Sequence, residues 1–395
     1  MTHVDRILPT EEAYDLLELT RELADGELAP RVADFEERGE FPREVIRTLG
    51  RAGLLGLPYP SEYGGADQPY EVYLQVLEIL ASRWLAVAEA VSVHTLSCYP
   101  VAAHGNEQLR KLLPDMLGGE LLGAYCLSEP QGGSDAAAMI TRARRDSDAY
   151  VVNGTKAWIT HAGQADFYNI FCRTGGPGAA GISCLLADAN APREGAAPGE
   201  PAPRGILPQR PERTMGLRSS PIAQVVFEDA LVPAERLVGA EGEGFKIAMK
   251  ALDSGRLGIA ACAVGLAQAA LDHAAAYARE REQFGRPIVD FQGVGFMLAD
   301  MATQVSAARA LTLAAARLRD AGRPYSTEAA KAKLFATDMA MRVTTDAVQV
   351  LGGYGYVADH PVERYMREAK VLQIVEGTNQ IQRLVISRAL ARPPA

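Results

Sequence analysis

Cysteine is scarce and scattered in this sequence. Cys98, Cys126, Cys172, Cys184 and Cys262 are spread over 395 residues with no Cys-x-x-Cys pair among them. The pattern argues against a disulfide framework and fits reduced, mostly buried thiols. The six histidines likewise lack metal-ligand spacing, so no metal site is expected. Positive charge is in deficit too: 40 Lys and Arg face 49 Asp and Glu, a net charge of −9. A nucleic-acid partner needs a basic face to displace counterions, so that class is set aside.

Long hydrophobic runs and targeting signals are missing as well. The longest apolar-looking run, residues 257–271, is broken by Gln268 and reads as too short to span a membrane. Residues 1–9 carry Asp5 and Arg6 in place of an apolar segment, and Glu11, Glu12 and Asp15 are wrong for a mitochondrial transit peptide. The expectation is a cytoplasmic protein. No P-loop and no G-x-S-x-G elbow occurs, and the glycine clusters at 239–244 and 352–355 do not fit a Rossmann fingerprint. Both read as tight loops joining helices.

What is present is an ordinary globular composition, 48% hydrophobic and 23% charged, in a chain long enough for two or three domains. Residues 1–121 read as helical. Val45, Ile46, Leu49, Leu54 and Leu55 mark one helical face, and Pro60 to Gly65 forms a loop. Residues 122–238 read as β. Asn153-Gly154 lies between two β-rich runs, which predicts a hairpin, and further strands are expected at 167–173, 181–188 and 223–227. The Ala-, Pro- and Gly-rich stretch 189–204 reads as a surface loop. Residues 239–395 return to helix, with Val294, Met297, Leu298, Met301, Val305 and Ala308 on one stripe. Helix, strand and helix segregated along the chain predict an α+β protein rather than a parallel α/β sheet.

Chemistry concentrates in five collinear blocks. They are Tyr125-Cys-Leu127-Ser128-Glu129-Pro with Gly133-Ser134-Asp135; Trp158-Ile159-Thr160; Arg281-x-Gln283-Phe284-Gly285; Gln349-x-Leu-Gly-Gly353; and Val375-Glu376-Gly377-Thr378-Asn-Gln380. In this order and with these separations the chain resembles the acyl-CoA dehydrogenase family over nearly its whole length. The stretch 215–254 is most similar to the short-chain and bacterial branches. The resemblance implies an N-terminal all-α domain, a central β-barrel-like domain and a C-terminal four-helix bundle. It also implies FAD-dependent α,β-dehydrogenation of an acyl-CoA thioester, with electrons passed to an electron-transfer flavoprotein.

Roles follow from the same resemblance. Glu376 would take the α-proton while flavin N5 accepts the β-hydride, the redox step belonging to the cofactor. A free carboxylate is a weak base for so weak an acid, so desolvation must raise its pKa. Some relatives carry the base at the position of Gly255, and glycine there strengthens the assignment to Glu376. Tyr125, Leu127, Ser128, Trp158, Ile159, Thr160, Thr378 and Gln380 would contact FAD. Arg281, Gln283, Phe284, Gln292, Gln349 and Gly353 would do so from a neighbouring subunit, hence an expected homotetramer, or at least a dimer. Ser134, Asp253, Arg256 and Gly377 would meet the substrate, although Asp253 and Arg256 are also spaced for a pair within one helix. Val375 stands where the family commonly has an aromatic, which leaves room for a branched or bulkier acyl group. Acyl-CoA oxidases, flavin monooxygenases and a catalytically silent acyl-CoA-binding flavoprotein share the architecture.

Overall fold

The structure is a computed structural model that describes residues 4–190 and 204–391. Among the described residues the chain opens with α1 (Glu11–Leu23), α2 (Val32–Arg38), α3 (Arg43–Arg51), α4 (Tyr70–Ala81), α5 (Leu85–His104), α6 (Glu107–Arg110) and α7 (Leu113–Leu117). Local chemistry sets their ends and faces. The Thr10 hydroxyl accepts from the Ala13 N–H at 3.2 Å and caps α1. On α3, Val45, Ile46 and Leu49 are buried, as their spacing predicts.

The middle of the chain supplies β1 (Gly123–Cys126), β2 (Arg142–Asp146), β3 (Ala149–Thr160), β4 (Phe167–Arg173), β5 (Ile182–Asp188), β6 (Ile206–Pro208), β7 (Ile222–Pro233) and β8 (Leu237–Val238). They form one sheet in the order β6-β7-β3-β2-β4-β5-β8, with β1 running parallel beside β4 from the pair Gly123 and Phe167. β7 buries Ala223, Val225 and Phe227 on alternate positions, the pattern of a strand with one face on a core.

The expected hairpin at Asn153-Gly154 does not form. β3 runs straight through it, and the register slips there because β7 carries the extra residue, with Glu228 and Asp229 both facing Asn153 and Asp229 at φ +46°. Gly154 sits at φ +144°, and a Cβ there would meet Thr141 Oγ1 at 2.5 Å. Asn153 is occupied across the sheet. Its Nδ2 donates to Asp229 Oδ1 at 2.9 Å, and the Asp229 N–H donates back to Asn153 Oδ1 at 3.0 Å. The turn that does reverse the chain is Ser147-Asp148, between the paired residues Asp146 and Ala149, with Ser147 at φ +51°. A two-residue hairpin turn favours a left-handed first residue, and here Ser147 provides it without glycine.

Five helices follow: α8 (Gly244–Glu280), α9 (Gln292–Asp320), α10 (Ser326–Leu351), α11 (Val362–Leu372) and α12 (Asn379–Leu390), with a short pair β9 (Glu282–Gln283) and β10 (Arg286–Pro287) between α8 and α9. The glycine cluster at 239–244 therefore joins strand β8 to helix α8, not two helices. The stretch 189–204 lies mostly outside the described residues.

α8 is the spine of the molecule. It packs on α4 and α5 on one side and on α9 and α10 on the other. Its small residues allow the close approach that the sequence suggests: a Cβ at Gly265 would lie 2.2 Å from the Glu78 carbonyl oxygen. One apolar core consequently runs from the N-terminal helices through α8 into α9, α10 and α11. A second core lies within the sheet, and a third seals the junction of α5, α7, β4, β5 and the start of α8. α5 and α8 are both long and apolar enough to cross a membrane by length and composition, unlike the shorter run read from sequence. Yet 89% and 72% of their apolar windows are buried in the fold.

Gly154→Ala should lower stability by about 1–3 kcal/mol, because alanine meets both a forbidden φ and the Thr141 side chain. Denaturant unfolding measures this, and an unchanged midpoint would contradict it.

Candidate active site

A cleft of about 420 Å³ opens where α5, α8, the exit of β1, the end of β3 and the α11–α12 turn converge. Its most demanding residue is Glu376, in that turn. Glu376 is left-handed at φ +54° and Gly377 follows at +85°, a conformation a non-glycine residue holds only where its surroundings enforce it. Several buried groups do so. Gln382 Nε2 donates to the Glu376 and Gly377 carbonyl oxygens at 3.2 and 2.8 Å. Lys333 Nζ, fully buried, donates to the Gly377 oxygen at 3.0 Å and to Asn379 Oδ1 at 2.9 Å. Asn379 Nδ2 donates onward to Asp338 Oδ1 at 2.7 Å. The Thr378 hydroxyl accepts from the Ile381 N–H and caps α12.

So held, the Glu376 side chain points into the cleft. Its Oε2 is sealed from solvent and, among the described residues, has no hydrogen-bond partner. It rests on Gly255 of α8, where a Cβ would stand only 2.5 Å from Oε2. Burial pushes the carboxyl up to about 7; Arg256 and Lys333 pull it down, while Glu89 pushes it further up. Such a group is half-ionised near neutral pH, poised to take a proton.

The opposite wall is built by β1 and β3. Lys156, fully buried, donates to the Leu127 carbonyl oxygen and to Glu129 Oε1, both at 2.9 Å. Glu129 also accepts from the Ile140 and Thr141 N–H groups at 2.7 and 2.9 Å. Burial would raise Glu129, but Lys156 and these amides outweigh it and hold it at about 2. The Ala157 N–H donates to the Ser128 carbonyl oxygen at 2.9 Å. The segment of Leu127 and Ser128 is thereby fastened to β3. Within a second irregularity in the β3–β7 register, Trp158 adopts φ +62° and is 65% exposed on the cleft rim.

Of the residues singled out from sequence, the cleft brings together Tyr125, Leu127, Ser128, Ser134, Trp158, Ile159, Thr160, Arg256, Glu376, Gly377 and Thr378. Asp253 stands one helical turn from Arg256 and pairs with it at 2.6 Å, so the intrahelical pair is real. Arg281, Gln283, Phe284, Gln292, Gln349, Gly353 and Gln380 do not line this cleft. Arg281 instead lies 5.7 Å over the Tyr354 ring, beside the 352–356 turn, and Phe284 is 94% exposed at φ +53°.

Sequence reasoning missed Glu89, Val93 and Leu96 of α5, Phe245 and Met249 of α8, and the supporting Lys333. A signal for Glu89 existed: it is the sole acidic residue in the apolar helix α5.

Comparison with known proteins agrees with this geometry. Family models described as the N-terminal, middle and C-terminal domains of acyl-CoA dehydrogenase match residues 10–120, 124–230 and 242–391. An acyl-CoA dehydrogenase of Bacillus subtilis is 43% identical over 384 residues, covering 96% of this chain and 98% of that one. Among solved structures, butyryl-CoA dehydrogenase from Megasphaera elsdenii superposes with a TM-score of 0.92 at 40% identity, covering 98% of this chain and all of that one. A chain in a structure of the electron transferring flavoprotein of Acidaminococcus fermentans gives 0.93 at 43% identity, covering 99% and 100%. The chain belongs to the acyl-CoA dehydrogenase family.

A methyl group at position 255 should evict the Glu376 carboxylate. Gly255→Ala is expected to melt close to the wild type yet lose roughly tenfold or more in kcat/KM for an acyl-CoA. Wild-type turnover in that variant would show that the contact does not seat the carboxylate.

Proposed function

We propose that this chain dehydrogenates a short acyl-CoA thioester between its α and β carbons, with Glu376 as the base and FAD as the oxidant. The observation that carries the reading is the unpaired, solvent-sealed Oε2 of Glu376, aimed into a cleft with an exposed indole on its rim. A carboxyl near its ordinary pKa of 4.5 is too weak a base for a thioester α-proton. One raised to about 7 by burial closes part of that gap. Among the described residues the Glu376 N–H makes no hydrogen bond within the protein, so it is free to donate to the thioester oxygen as charge develops there.

The residues present fit FAD. Trp158 offers a flat apolar surface, and the clamped segment of Leu127 and Ser128 offers fixed backbone donors and acceptors. Tyr125, Ile159, Thr160 and Thr378 would complete its seat in the cleft. FAD supplies, when bound, the acceptor for the hydride leaving the β-carbon. Ser134, Gly377 and Arg256 would face the thioester, with Asp253 fixing the Arg256 guanidinium. The patch of Arg281, Gln283, Phe284, Gln292, Gln349 and Gly353, with Gln380, lies outside this cleft. It is read as completing the FAD site of an adjacent copy in a homotetramer. Likeness to a chain from an electron transferring flavoprotein structure supports such a flavoprotein as the electron acceptor.

Anaerobic mixing with butyryl-CoA should bleach the flavin. Glu376→Gln should keep FAD yet bleach roughly 10²–10⁴-fold more slowly; an unchanged rate would remove Glu376 from the mechanism. The base works only when ionised, so kcat/KM should rise with pH up to about 7 and fall about tenfold per unit below it. Glu89 is also pushed up to about 7 by burial, so this acid limb belongs to the pair. A flat profile from pH 5 to 8, roughly the span over which such a pair titrates, would contradict the assignment.

A further inference from the structure

α5 presents Glu89, Val93 and Leu96 to the cleft, one helical face in which a carboxyl stands beside two aliphatic side chains. Glu89 is only 5% exposed. Its Oε1 accepts from the Thr160 hydroxyl at 3.3 Å and its Oε2 from the Ser220 hydroxyl at 3.0 Å. Each oxygen keeps a further lone pair free.

What Glu89 lacks is a cation. Two other buried carboxylates do have one: Glu78 lies between Arg6 at 2.7 Å and Arg309 at 2.9 Å, and Glu129 meets Lys156 at 2.9 Å. Glu36, also buried, instead has three neutral donors around it, Trp84 Nε1, the Ser219 hydroxyl and the Arg218 N–H, one more than Glu89 has. Among the described residues no Lys, Arg or His pairs with Glu89, and Glu376, whose carboxyl it pushes up, carries charge of the same sign. A buried carboxylate without a counter-charge is costly, and two neutral hydroxyls only partly offset that cost. The cleft's own ligands do not cure this. FAD and coenzyme A are both anions through their phosphates, and neither carries a cationic group at neutral pH. The one part of the bound assembly whose chemistry is free to vary is the acyl group.

We propose that Glu89 makes this cleft select acyl groups bearing a hydrogen-bond donor beyond the reacting carbons, an ammonium above all and a hydroxyl to a lesser degree. The inference rests on the dehydrogenase reading of the cleft and adds a substrate class to it. Val93 and Leu96 flank the carboxyl with aliphatic surface, so the acyl group is a short hydrocarbon stem with a polar tip. A charge-assisted hydrogen bond in a dry site discriminates strongly against an analogue that cannot make it. Glu89 would thus be a specificity-determining residue, separate from the base.

The test uses pairs of thioesters matched in shape. 4-(Dimethylamino)butyryl-CoA and 5-methylhexanoyl-CoA differ by an N–H⁺ in place of a C–H; 4-hydroxybutyryl-CoA and pentanoyl-CoA differ by a hydroxyl in place of a methyl. Their dissociation constants are read from the flavin absorbance shift of the FAD-loaded Glu376→Gln protein, which removes the other carboxylate that could attract an ammonium. At least one donor-bearing member should bind roughly tenfold or more tightly than its isostere, and adding Glu89→Gln should erase most of that preference. Should the double variant fail to fold, the preference within Glu376→Gln alone decides. Equal or weaker binding of both donor-bearing members would overturn the role of Glu89, leaving it a tie between α5, Thr160 and Ser220. Bleaching of the wild-type flavin by pentanoyl-CoA would show in that case that the dehydrogenase reading stands. A wild-type flavin that no thioester bleaches would overturn both.

Discussion

A carboxyl group pressed out of water against a glycine is the constraint on which the cleft depends. Glu376 Oε2 has no partner, and Gly255 leaves just enough room for it. A rise from 4.5 to about 7 corresponds to roughly 3 kcal/mol held against the fold once the group ionises. The sign matters. A carboxyl whose folded pKa is raised loses stability as pH climbs from 4.5 towards 7, whereas Glu129, held low by Lys156, loses its contribution only as pH falls towards 2. One pair secures the scaffold across the working range; the other group is kept titrating near neutral pH at the scaffold's expense.

The supports around Glu376 explain how such a group persists. Lys333, Asn379 and Gln382 fix the carbonyls of the turn, so the left-handed Glu376 backbone cannot relax without breaking buried hydrogen bonds. α8 supplies the floor and, through its small residues, joins the N-terminal and C-terminal helices in one core. The register between β3 and β7 slips twice. A bulge in β7 brings Asp229 opposite Asn153 and ties the strands together, and the distortion of β3 around Trp158 turns an indole outward where a regular strand would not. Strain of this kind gathers where a side chain must be aimed.

Much of this was legible in the residues. The run from Val375 to Gln380 and the Trp158-Ile159-Thr160 block pointed to one site, and the structure places most of both in a single cleft. β4 spans the residues read from sequence, and α9 buries Met301, Val305 and Ala308 of its stripe. Asn153-Gly154 misled because a turn signal is local. A cross-strand partner, Asp229, decides between a hairpin and a bulge, and no local pattern reveals it. Glu89 differs: an acid alone in an apolar helix was visible in the sequence, but its partners Thr160 and Ser220 lie far along the chain. The Arg281 block is legible as a motif but sits apart from the cleft of its own chain, and the role proposed for it depends on a second copy.

A dry Glu376 carboxyl is the feature most directly open to measurement. Carbon-13 NMR or difference infrared titration of the side-chain carboxyl, compared between the wild type and Glu376→Gln, reads this directly. A midpoint near 7 that climbs further when a non-reactive acyl-CoA analogue fills the cleft is the predicted result. A midpoint near the ordinary 4.5, unmoved by ligand, would place the group in water and contradict the account.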